Sequence, residues 1–107
     1  MENIEKTYYI SMLYDFYSEL LTEKQRQYFE LYYFNNYSLQ EISTELNVSR
    51  NAVSDQNKNT VKILEEYEEK LKLYEKYQTR QKLLKNILEL TNDEKIINII
   101  NKLKGVD

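Results

Sequence analysis

The chain has 107 residues, 15 Lys and Arg against 18 Asp and Glu, and neither Cys nor His. Disulfides, ordinary zinc sites and His- or Cys-based nucleophilic mechanisms are thereby excluded, and no cofactor is expected. No run approaches the ~20 apolar residues of a membrane span, and the N-terminus lacks a basic-then-apolar signal pattern, so the expected location is the cytoplasm.

Pro is absent and Gly105 is the single glycine, so Asn, Ser and Thr must mark the element boundaries. A hydrophobic content of 41% with 31% charged residues suits long, two-faced helices. The first helix is predicted over about residues 5–20, because Ile10, Leu13, Tyr14, Tyr17, Leu20 and Leu21 recur at steps of three and four. Thr22 and Gln25 form a capping box that opens a second helix to about Phe34, and Asn35-Asn36 ends it.

A helix-turn-helix follows. Ser38 and Glu41 make an S-x-x-E capping box, and Tyr37 and Ile42 occupy the two positions of a hydrophobic staple. Leu39, Ile42 and Leu46 form one apolar stripe, with small Ser43 where a neighbour can approach closely. Asn47 suits the left-handed residue that ends the helix. Ser49 caps the next helix, which is expected to bury Ala52 and Val53.

From Ser49 to Leu90 no residue forbids one continuous helix, apart from a soft spot at Gln56-Asn57-Lys58-Asn59-Thr60. Leu64, Tyr67, Leu71, Tyr74 and Gln78 line one face beyond it, beside a basic stripe of Lys72, Lys76 and Arg80. Thr91 and Glu94 suggest a third capping box, opening a last helix with Ile96, Ile99, Ile100 and Leu103 inward and Gly105 as its stop. The predicted architecture is all-α: an N-terminal hairpin, a helix-turn-helix without a wing, a long amphipathic helix and a terminal one. Residues 1–60 would form the first part, and residues 61–107 an extension packing on it as one structural unit.

These residues together resemble the YlxM family of small bacterial proteins, which carry a sigma-factor-like helix-turn-helix. The specific matches are Leu20-Leu21-Thr22-Glu23-Lys24-Gln25, Glu30-Leu31-Tyr32-Tyr33, Tyr37-Ser38-Leu39-Gln40-Glu41-Ile42, Val48-Ser49-Arg50-Asn51-Ala52-Val53 and Lys62-Ile63-Leu64-Glu65-Glu66-Tyr67-Glu68. The resemblance implies an all-helical homodimer that acts in or regulates the signal recognition particle pathway. The chain departs from the pattern at Asn57 and Asn59, where such proteins typically carry an apolar and a basic residue. If Asn57 faces the core, its amide must find partners or cost about 1–3 kcal/mol.

Charge is unevenly placed. Residues 1–60 hold five basic and nine acidic side chains, whereas residues 70–85 hold six basic ones against Glu75 alone. Arg50, Asn51, Ser54 and Lys58, with Lys62 beyond, are the candidates for DNA bases and phosphates, Arg suiting guanine and Asn adenine. Asp55 opposes that use, and a solvated helix face is the competing reading. Lys72, Lys76 and Arg80 can grip an RNA backbone, or be a solvated face balanced by Glu65, Glu66, Glu68 and Glu69. The eleven tyrosines fit core or dimer packing better than base stacking. The face of Tyr67, Tyr74 and Leu84, with the first two helices, is expected to bury against a second copy. No carboxylate pair is set beside a nucleophile or a glycine-rich phosphate loop, so no enzyme is expected. The expected partners are the particle's protein and RNA, or alternatively DNA read by a transcription regulator.

Overall fold

A computed structural model describes residues 3–106, and among them the regular structure is helical throughout. Six α-helices follow in order: α1 (Ile4–Tyr17), α2 (Glu23–Tyr33), α3 (Leu39–Leu46), α4 (Arg50–Leu71), α5 (Leu73–Leu90) and α6 (Glu94–Lys104). A single 3-10 turn, Ser18–Leu20, follows α1. The chain divides into two compact units, Met1–Leu71 and Lys72–Asp107.

In the first unit α4 is the shared wall, touched by α1, α2 and α3. Its inward positions are Val53, Asn57, Thr60, Leu64 and Glu68, which recur at steps of three and four and so lie along one stripe. Against them lie Ile10, Leu13 and Tyr17 of α1 and Phe29 of α2, all at most 1% exposed. Tyr14 stacks on Phe29 at 4.4 Å between ring centroids, and Phe29 stacks on Tyr33 at 4.3 Å. A second cluster of Tyr28, Ile42 and Val53 is closed by half-buried Tyr37, Leu39, Leu46 and Val48. The predicted staple residues Tyr37 and Ile42 thus share one cluster.

Between α1 and the start of α4, two sites of the predicted apolar pattern point outward. Leu20 is 54% exposed, because the 3-10 turn shifts the angular phase that the α-helical count assumes. Ala52 is exposed because the buried stripe of α4 runs through Val53 and Asn57. The turn itself is held by Arg26, whose Nη1 donates to the carbonyls of Ser18 and Leu21 at 3.2 and 2.6 Å.

The helix does not break at Asn57-Lys58-Asn59. α4 runs through that stretch without interruption, because Asn57 and Thr60 face inward and Thr60 Oγ1 donates back to the Gln56 carbonyl. It ends instead at Lys72, whose φ of 54° is left-handed. The other left-handed residues are Asn36 and Asn47, the residue type that tolerates this region best after glycine. A lysine there has no such ease, and no feature of Leu71-Lys72-Leu73 announces the break.

In the second unit α5 packs against α6, and Tyr74, Leu84 and Ile100 are buried. The stripe expected to run on from Leu64 is interrupted at Leu71, which is exposed, as is Gln78. Ile96, Ile99 and Leu103 are likewise exposed rather than inward. The third capping box is replaced by a different cap. Asp93, adjacent to the helix, accepts from the Lys95 amide at 2.9 Å, and Thr91 Oγ1 accepts from the Asp93 amide at 3.1 Å. Asp is as strong an N-cap as Ser and stronger than Thr, so the nearer residue wins. Gly105 does end α6, but with a right-handed φ of −86°.

Candidate nucleic-acid interface

The helix-turn-helix is built by local hydrogen bonds that the sequence specifies. Ser38 Oγ accepts from the Glu41 amide at 3.0 Å, and Glu41 Oε1 accepts from the Ser38 amide at 3.0 Å. These bonds, the backbone one first and the side-chain one second, hold the Glu41 carboxyl below its usual range. Asn47 takes the left-handed conformation with φ 55° and ends α3. The turn is closed by Ser43, whose carbonyl accepts from the Val48 amide and whose hydroxyl donates to the Val48 carbonyl. Ser49 Oγ then accepts from the Ala52 amide at 3.0 Å and opens α4.

This geometry sets out the first group of candidate residues along one helix. Arg50, Asn51, Lys58 and Lys62 are exposed, and Ser54 is half-buried. From residue 50 to residue 62 they span about 18 Å of helix axis. Asp55 stands exposed among them, so the face carries three cations and one anion. Asn59 is exposed as well and adds no charge.

The second group lies in the other unit. Lys72, which precedes α5, and Lys76 and Arg80 on it line an open groove of about 560 Å³ together with acidic Glu75, and Leu83 and Leu84 are its apolar part. Arg80 also sits over the Tyr77 ring, 5.9 Å from its centroid. Lys72 and Glu75 form an exposed pair at 3.7 Å, the kind that contributes roughly 0–1 kcal/mol. The structure thus brings Lys72, Lys76 and Arg80 together and brings Arg50, Asn51, Ser54, Lys58 and Lys62 together, as two sets on separate helices.

Sequence reasoning did not find a pocket of about 370 Å³ within the first unit. Lys6, Tyr32, Ser54, Asn57 and Lys58 contribute to its lining. Asn57 is the residue that carried a signal, since an amide stands there on the inward stripe. It is 5% exposed, and its Nδ2 donates to the Tyr28 carbonyl over a long 3.4 Å. Its Oδ1 is buried without a hydrogen-bond partner. Among the described residues no group of His, Cys, Asp and Glu could hold a metal ion, and no helix is long and apolar enough to cross a membrane.

Capped α3, left-handed Asn47 and capped α4 against a buried Ile42 and Val53 define an all-helical helix-turn-helix protein. The comparison with known families agrees over nearly the whole chain. Residues 4–104 match the model of family UPF0122, helix-turn-helix proteins described as YlxM / p13 like, and the chain belongs to that family. It is 51% identical over 104 residues to the UPF0122 protein OB1530 of Oceanobacillus iheyensis, covering 97% of this chain and 99% of that protein. Over 105 residues it is 45% identical to the UPF0122 protein YofM of Lactococcus lactis, covering 97% and 95%. A UPF0122 protein of Bacillus cereus is 50% identical over 95 residues, covering 89% and 86%.

Proposed function

We propose that this chain is a non-enzymatic accessory or regulatory factor of the signal recognition particle pathway, working in the cytoplasm by binding the particle's RNA, its protein, or both. The observation that carries this reading is where the positive charge lies. Lys72, Lys76 and Arg80 line one groove on α5, while the half containing the helix-turn-helix has an acid excess. Affinity for a phosphate backbone follows the number of cations that neutralise it, and residues 70–85 carry six basic side chains against Glu75 alone, which favours that stretch over α4 for the contact. The pathway itself enters through the resemblance to the YlxM family, as what that resemblance implies.

A homodimer is part of the proposal. Of the expected face, Tyr67 is half-buried, and Tyr74 and Leu84 are buried within the chain and have little surface left to offer a second copy. Leu83, Ile87 and Leu90 of α5 remain exposed and are the surface we assign to it.

A second reading, a DNA-binding transcription regulator, is favoured by the exposed row Arg50, Asn51, Lys58 and Lys62 on the second helix of the motif. One titration separates the two. The purified chain is offered, near physiological salt, the particle RNA, the particle's GTPase protein, and a DNA duplex carrying its own promoter. Saturable binding to RNA or protein that Lys76→Glu with Arg80→Glu abolishes supports the accessory factor. Tight promoter binding that Arg50→Glu with Lys58→Glu abolishes overturns it in favour of the regulator.

A further inference from the structure

The pocket in the first unit has the dimensions and chemistry of a small-ligand site. Its volume of about 370 Å³ lies in the range of pockets that enclose small molecules. Ile10, Leu39 and Val61 give it apolar walls, and half-buried Tyr32 and Tyr33, whose rings stand at 84° to each other, give it aromatic ones. Two cations, Lys6 from α1 and Lys58 from α4, stand on its lining, and no carboxylate does. Neither lysine forms an ion pair among the described residues.

Asn57 adds a directional requirement. Its Nδ2 faces the Tyr28 carbonyl, and a carbonyl oxygen can only accept, so the amide nitrogen must be the atom on that side. The buried group left without a partner is therefore an acceptor, Oδ1. A buried acceptor without a donor destabilises the fold that carries it. Oδ1 is itself buried, so a donor entering the pocket reaches it when the carboxamide turns, a movement that the long bond to Tyr28 restrains only loosely.

We propose that this pocket binds a small planar anion with an N–H donor, the chemistry of a nucleoside monophosphate. The base lies against the tyrosine walls, where ring stacking suits any base. Its amino group donates to Asn57 Oδ1, and its phosphate meets Lys6 and Lys58, lysine being a compact point charge suited to phosphate. The anion is held by these two lysines and not by a glycine-rich loop. The site is independent of which macromolecule the protein serves.

The test uses the full chain, with amide chemical shifts followed during titration with AMP, CMP and GMP. Inorganic phosphate and adenosine serve as separate probes. The expected result is saturable binding of at least one nucleotide, with shifts gathered at residues 6–10, 32–33 and 54–61. Phosphate or adenosine alone should bind at least tenfold more weakly. Asn57→Leu should lose tenfold or more in affinity while unfolding at an equal or higher temperature, because it removes the orphan acceptor. Lys58→Gln, an exposed substitution, should lose a similar factor without loss of fold. Failure of every nucleotide to saturate overturns the proposal, and so does undiminished binding by Asn57→Leu and Lys58→Gln.

Discussion

The two units use apolar side chains in opposite ways. In the first, Ile10, Leu13, Tyr17, Phe29, Ile42, Val53 and Leu64 are at most 1% exposed. In the second, Tyr74, Leu84 and Ile100 are the buried hydrophobics, while Leu83, Ile87, Leu90, Ile99 and Leu103 are 44–87% exposed. The first unit has four helices around one shared wall and closes its core by itself. The second has two helices, too few to enclose a core, and leaves apolar surface on the outside. A pair of helices with such a surface gains most from a partner. The difference shows where this chain closes a core by itself and where it leaves apolar surface exposed.

The sharpest way to break this contrast is to truncate one side chain from each unit. Phe29→Ala should cost about 3–5 kcal/mol, a large part of the 5–15 kcal/mol of a small domain, whereas Ile99→Ala should stay within about 0.5 kcal/mol. Urea denaturation of the two variants measures both, and equal losses would erase the distinction. Next in size is the buried polar contact of the first unit. Tyr17 Oη donates to Glu68 Oε1 at 2.7 Å. Glu68→Ala should destabilise by about 1–3 kcal/mol, because the buried hydroxyl loses that acceptor. A double-mutant cycle with Tyr17→Phe should recover part of that loss.

At the junction of the units, Lys72→Gly should stabilise by about 1 kcal/mol, since glycine adopts φ 54° without a Cβ clash. A rise in the thermal midpoint checks this, and a fall would mean that the lysine side chain matters more than its backbone. The last effect is read at alkaline pH. Tyr14 donates to Glu30, and its pKa is raised far above 10.0, first by burial and then by that carboxylate. A folded pKa above the unfolded one gives stability that is whole below pH 10 and declines as pH rises beyond it. Spectrophotometric titration should therefore find Tyr14 ionising after the exposed tyrosines, and Tyr14→Phe should flatten the alkaline decline.

What was legible in the sequence is local. The boxes at Thr22 with Gln25 and at Ser38 with Glu41 involve neighbours three residues apart, so residue type and spacing alone locate them. The caps at Asn47 and Ser49 follow for the same reason, and with them the helix-turn-helix. Thr91 misled because Asp93 competes for the same helix start two residues later. The inward stripe of α4 was harder to see, since Asn57, Thr60 and Glu68 are polar and a hydrophobic period passes over them. Glu68 makes sense inside only once Tyr17, 51 positions away, is beside it. The candidate site was legible as two sets of residue types. Tyr32 and Lys6 joining Asn57 at one pocket depends on the packing of three helices, which no spacing encodes.

α4 is 22 residues long, and its buried stripe runs from Val53 to Glu68. Its exposed residues are therefore mounted on a backbone whose position is already decided by the opposite side of the same helix. Arg50, Asn51, Asp55, Lys58, Asn59 and Lys62 can change identity at little cost in folding, since exposed substitutions usually move stability by no more than about 0.5 kcal/mol. The helix separates two demands on its sequence: one side keeps the fold, and the other is free to drift or be rewritten.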